Sequence, residues 1–136
     1  YNIESLTVST VTEAMDVSRI TIVTTGTPMI IEQIKAQLDR QVPIHSVHDL
    51  TSEGPYIERE IALIKVVSRG PKRRESLRIA DIFRANVADT TIGSFVFVLE
   101  GSSEKVDAFV HLMRTLGTVE VARSGAVAIA RGANAL

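Results

Sequence analysis

The sequence predicts an α+β protein of two tandem ferredoxin-like domains, the N-terminal one lacking its first strand and helix. Three observations lead there. Apolar residues recur with a two-residue period in some segments and with helical spacing in others. The segments read strand, strand, helix, strand in the first half and strand, helix, strand, strand, helix, strand in the second. Finally, ITIVTTGTPMIIEQIKAQLDRQVPIHSVHDL matches FVFVLEGSSEKVDAFVHLMRTLGTVEVARSG in element order, cap position and helix length, for which an internal duplication is the economical explanation. Two interleaved strand-helix-strand units, with both helices on one face of a four-stranded antiparallel sheet, are what the second order implies.

The chain opens on YNIESLTVST, where Ile3, Ser5, Thr7 and Ser9 alternate with Leu6, Val8 and Thr10 as a strand requires. A start inside a strand, without methionine, leads us to expect residues before Tyr1, about 20 to 25 of them if one strand, a loop and one helix are to be supplied. EAMDV is a polar connection to a second strand, VSRITIVTT. Thr27 then caps a helix with Pro28 at its first position, and Ile30, Ile31, Ile34 and Leu38 form its apolar stripe. Pro43 closes that helix and IHSVHDLT reads as another strand. SEGPY holds the loop-forming residues of a linker, which divides the chain into domains at 1–52 and 57–136.

Beyond the linker, IEREIALIKVVS is a long strand and GPKRRESLRIADIFRAN a helix that buries Leu77, Ile79, Ile82 and Phe83. VADTTIG and SFVFVLEG are two short strands around Gly93. Ser102 or Ser103 caps a helix whose stripe is Val106, Phe109, Val110, Met113 and Leu116, ended by Gly117. TVEVARSGAVAIARG is a final strand, bent or bulged at Ser124 and Gly125. FVFVL, ALIKVV and AVAIA are apolar on both faces, whereas helices cover only one face of such a sheet. The other face would be an apolar patch larger than soluble monomers expose, so a second copy of the chain, a second protein or the neighbouring domain must cover it.

Composition narrows the functional classes. With 45% apolar residues the chain is globular, and 15 basic against 16 acidic residues leave a net charge of -1, with no field to recruit nucleic acid or an anionic membrane. The absence of cysteine excludes disulfides, thiolate-held zinc and a cysteine nucleophile. No run approaches the roughly 18 apolar residues of a membrane span. No glycine pair has the GxG spacing of a dinucleotide or phosphate loop. His45 and His48 fall on opposite faces of a predicted strand, which argues against a shared metal, and His111 is a surface or boundary residue. Glu58 and Glu60 share one side of a strand as a carboxylate pair would, but beside Arg59 they read better as a solvated rim. Lys72, Arg73 and Arg74 open a helix, where the dipole disfavours cations; either a partner compensates or Glu75 neutralises a solvated turn. No catalytic or metal-binding residue is expected. Asn2 is suited both to an amino-acid ligand and to backbone capping.

The segments NIESL, SRITIV, EQIKAQLDRQVPIHSVHDLT, EREIALIKV, DIFRANVAD, FVFVLEGSSEKVDAF and the closing ARSG…ARG, in this order over nearly the whole chain, resemble the small regulatory subunit of acetohydroxyacid synthase, also called acetolactate synthase. The resemblance implies a non-catalytic, cytoplasmic protein (organellar in a eukaryote) of branched-chain amino acid biosynthesis. Its N-terminal domain would be an ACT domain that forms a homodimer, with valine as allosteric ligand at the interface. Its partner would be the catalytic large subunit, which carries thiamine diphosphate, FAD and magnesium; association raises activity and confers feedback inhibition by valine. The family's effector pocket combines the loop after the first strand of the ACT domain with the strand that follows. Only that strand has a counterpart here, and the motif carries Asn2 and Ile3 over as effector-binding residues; in a molecule lacking the loop the valine response is expected to be lost or badly weakened. Two other readings of the fold are an ACT-type amino-acid sensor for another enzyme and an RNA-binding ferredoxin-like module, for which Phe95 and Phe97 are the only stacking candidates.

Overall fold

The computed structural model describes residues 2–10, 17–41, 44 and 46–133. The chain forms two compact units, one of Tyr1–Ile57 with Val127–Leu136 and one of Glu58–Ala126. The closing segment from Val127 thus groups with the N-terminal unit, whereas the linker reading placed it in the C-terminal domain.

In the first unit β1 (Asn2–Thr10) and β2 (Ser18–Thr25) form an antiparallel pair. Leu6 lies opposite Ile22 and Val8 opposite Ile20, which puts four apolar side chains on one face. Leu6, Val8 and Ile20 are each at least half exposed, and a two-stranded ribbon is marginal by itself. Helix α1 (Pro28–Asp39) starts where the sequence placed it, with the Thr27 hydroxyl accepting from the Ile30 amide. Of its stripe, Ile34 is the buried member.

The strand expected at IHSVHDLT does not form among its described residues. Asp49 instead accepts from the Thr51 amide and hydroxyl and caps a short helix, α2 (Leu50–Glu53). The reason is local: an Asp followed by Thr and Ser offers the backbone a cap in place of a strand ladder. Pro43 and His45 lie outside the described residues. β7 (Val127–Ala130) belongs to this unit, and the Arg131 amide just after it donates to the Pro55 carbonyl.

The second unit is built as expected. β3 (Tyr56–Val67), α3 (Pro71–Phe83), β4 (Asn86–Thr91), β5 (Ser94–Gly101), α4 (Ser103–Arg114) and β6 (Thr118–Arg123) form an antiparallel sheet in the order β4-β5-β3-β6. That order is the ferredoxin-like one. β3 alternates strictly: Glu60, Ala62, Ile64 and Val66 are buried while Ile61, Leu63, Lys65 and Val67 are exposed. The buried set meets Phe95, Phe97 and Leu99 of β5, Ala80 of α3 and Val106, Phe109, Val110 and Met113 of α4 in one core. Phe109 makes edge contacts with Phe97 and Phe83 at 5.8 and 5.3 Å between ring centroids. Each fully buried aromatic side chain contributes about 3 kcal/mol through the apolar area it removes from water.

The duplication is visible in the caps. Ser102 accepts from the Lys105 amide as Thr27 does from Ile30, and α1 and α4 are both 12 residues long. The expected bend in the last strand is a break. Ser124 exchanges two hydrogen bonds with Ile61, its amide to the carbonyl and its hydroxyl from the amide, and Gly125 then turns the chain at φ 79°. Gly117 marks a close approach: a Cβ there would lie 2.2 Å from the Val67 carbonyl oxygen.

Candidate functional site

Two surfaces and one polar cluster stand out among the described residues. The first surface is the start of β1. Asn2 pairs with Thr25 and Ile3 with Thr24, so both sequence-selected effector residues sit at the end of the ribbon beside β2. Ile3 is 52% exposed, and a bulge separates it from Ser5. A bulge re-aims the side chain next to it, here leaving a large apolar group facing outward.

The second surface is the face of the C-terminal sheet opposite the helices. Register fixes its members: Leu63 lies between Val98 and Ala122, Lys65 between Val96 and Glu120, and Val67 between Ser94 and Thr118, while Ile61 faces Glu100. Ile61, Leu63 and Val67 are 50%, 47% and 47% exposed. The apolar face read from FVFVL and ALIKVV is therefore present and uncovered within the unit. Its one ion pair, Lys65 to Glu120 at 3.4 Å, is solvent-exposed and of the kind that contributes little.

The polar cluster was misread from the sequence. Glu60 is not a solvated rim residue: it is buried, accepts from Arg123 Nε at 2.6 Å and from the Ser103 hydroxyl at 2.8 Å, and so joins β3, β6 and α4. Asp107 holds the other end of the same guanidinium at 2.5 Å. The Glu60 hydrogen bond, followed by that of Asp107, pushes the Arg123 pKa up, so the guanidinium stays charged at every working pH. Glu58 accepts from the Ser103 amide at 3.4 Å rather than acting with Glu60 on a substrate. The signal was available: Glu60 keeps the inward register of Ala62, Ile64 and Val66, and an inward carboxylate requires a cation opposite.

The basic run also resolves. Arg73 reaches across to the sheet, donating to the Ser94 carbonyl and the Thr90 hydroxyl and lying 3.9 Å from the Phe95 ring centroid. Glu75, expected to neutralise this run, pairs with Arg78 instead. His48 Nδ1 lies 3.0 Å from Glu53, and His111 is exposed on α4. Among the described residues no group of three His, Asp or Glu side chains converges as metal ligands, and no helix is long and apolar enough to cross a membrane. Phe95 and Phe97 are buried on the helix-covered side, where no base can stack on them.

These features define an α+β protein of ferredoxin-like units with a buried Glu60–Arg123 pair inside and an apolar bare sheet face outside. Comparison with known proteins agrees and is more specific. The family described as the small subunit of acetolactate synthase matches residues 59–132. A probable acetolactate synthase small subunit of Archaeoglobus fulgidus is 42% identical over 132 residues, 97% of this chain and 81% of that protein. The acetolactate synthase isozyme 3 small subunit of Salmonella typhimurium is 43% identical over 133 residues, with 97% and 80% covered. The crystal structure of the acetolactate synthase small subunit from Thermotoga maritima superposes with a TM-score of 0.80 at 33% identity, covering 98% of this chain and 82% of that one. The chain belongs to the acetolactate synthase small-subunit family.

Proposed function

We propose that the chain is a non-catalytic regulatory subunit that binds and activates the catalytic large subunit of acetolactate synthase and makes it sensitive to valine. The observation that supports this best is the bare sheet face of the second unit, where Ile61, Leu63 and Val67 are each about half exposed although nothing in their own unit covers them. Burying such a patch against another protein supplies the association energy, while the polar side chains at its edge set the register. Thiamine diphosphate, FAD and magnesium belong, in this reading, to the large subunit.

Homodimerisation through the ACT domain is proposed for the first unit. Leu6, Val8 and Ile20 give the β1–β2 ribbon an apolar face that needs a partner. Valine is proposed to bind next to Asn2 and Ile3. It acts only by favouring one arrangement of the paired domains over another, because a ligand that binds both equally shifts nothing. A coupling of roughly 1 to 3 kcal/mol is sufficient for feedback control.

The test is to add the purified chain to an acetolactate synthase large subunit and follow acetolactate formation with and without valine. A higher rate that valine suppresses is expected. Absence of both binding and activation overturns the proposal, and a valine-dependent effect on a different enzyme assigns the chain to another system.

A further inference from the structure

The second unit has a recess of about 440 Å³ where the α3–β4 turn, the end of β5 and the start of α4 meet. Arg59, Arg84 and Lys105 line it, with Glu100 as the single carboxylate. Arg84 and Lys105 have no side-chain hydrogen bond or ion pair among the described residues, and Arg59 donates only to the carbonyl of neighbouring Glu58. Elsewhere in the unit Lys65, Arg78 and Arg123 have carboxylate partners, while Arg69, Lys72, Arg74 and Arg114 have none among the described residues, so it is the gathering of three cations around one recess that sets this place apart. Three cations against the single carboxylate of Glu100 leave the recess with an excess of positive charge, and an anion placed among them offsets it.

The backbone supports this placement. Arg84 ends α3 in the left-handed region at φ 60° and is the one non-glycine residue described with positive φ. Glycine takes that conformation freely and a bulky side chain does not, yet a guanidinium is put there. Gly101 makes room for Lys105, whose Cδ lies 2.6 Å from where a glycine-replacing Cβ would be. The remaining polar lining, the Asn86 amide and the Ser102 hydroxyl, adds donors, and no aromatic ring is present to stack on a base.

We propose that this recess binds a phosphate group, free or at the end of a small ester, making it a ligand site separate from the one near Asn2 and Ile3. Guanidinium forks match phosphate oxygens in pairs, and the lysine acts as a point charge. Glu100 is then a selectivity element. It accepts a hydrogen bond from a P–OH or from a hydroxyl on the ester, but repels an anion such as sulfate that has no proton to offer.

The experiment is an NMR titration of the full chain at low ionic strength with inorganic phosphate, glycerol phosphate and sulfate, following the amides of residues 100–105. Saturable shifts with phosphate or the ester, and binding at least tenfold weaker for sulfate, are expected. Whichever of phosphate and the ester binds more tightly identifies the source. Arg84→Gln and Lys105→Gln should each weaken binding tenfold or more, and Glu100→Gln should remove most of the preference over sulfate. The pair Lys72→Gln, Arg74→Gln, cations outside the recess, should leave it unchanged; thermal unfolding of each variant confirms that it folds. Shifts that do not saturate, that are equal for sulfate, or that respond to Lys72 and Arg74 as much as to Arg84 overturn the proposal, as does binding of polyglutamate but not of phosphate.

Discussion

Replacing Arg123 with methionine should cost the second unit about 3 kcal/mol. Glu60 has a side chain only 4% exposed and takes its shortest hydrogen bond, 2.6 Å, from Arg123. Removing one partner of a buried pair costs about 3–5 kcal/mol, because the remaining charge stays desolvated. The Ser103 hydroxyl, at 2.8 Å, still donates to Glu60 in the variant and returns about 1 kcal/mol, which sets the estimate at the lower end. Asp107 adds little to the loss, since its side chain is 65% exposed and water replaces the guanidinium there. Arg123→Met combined with Glu60→Met removes both charges, and such apolar replacements are often neutral or better. The double variant should therefore be more stable than Arg123→Met alone. Urea denaturation followed by circular dichroism, with the slope checked for constancy, measures both. A loss below about 1 kcal/mol for Arg123→Met, with no recovery in the double variant, would show that water reaches Glu60 and would refute the reasoning.

Gly117→Ala should cost about 2–3 kcal/mol, since the new methyl group would sit 2.2 Å from the Val67 carbonyl oxygen and the backbone must move; thermal denaturation checks this. Leu63→Glu, on the bare sheet face, should change the stability of the isolated chain by less than about 1 kcal/mol but weaken its complex with the large subunit by about tenfold or more, measured by titration calorimetry. Asp49 has its carboxyl held below the usual range, chiefly by the Thr51 hydroxyl. A carboxyl whose pKa is depressed by folding stabilises above its unfolded value and loses that contribution as pH falls through its folded value, so the Thr51 amide resonance should move toward its unfolded position only below the ordinary Asp range near 3.8.

The second unit was legible in the sequence because its signals agree at every level. Val106, Phe109, Val110 and Met113 keep helical spacing behind a Ser cap, and Ala62, Ile64 and Val66 keep strand spacing. The first unit was legible as far as α1. Its expected last strand failed because Asp49, Thr51 and Ser52 satisfy one another locally, and duplication does not carry pairing over when the capping residues differ. At the sites, the apolar sheet face followed from strands such as FVFVL and ALIKVV that stay apolar at successive positions where alternation would place polar residues. Glu60 did not, because composition around Glu58 and Arg59 suggested solvent while register placed it inside; the cation that balances it, Arg123, is far away in sequence. The recess at Arg84 left no motif, since its cations come from three separate elements and converge only in the fold.

The central claim is that the exposed face of the C-terminal sheet is buried when the chain works in an enzyme complex. The chain has no cysteine, so a single Leu63→Cys gives a unique probe of that face, with Glu104→Cys, at an exposed position of α4, as reference. Maleimide labelling should be about tenfold or more slower at position 63 once the large subunit is added, and unchanged at position 104. A complex that forms and is activated while position 63 reacts as fast as in the free chain would contradict the account.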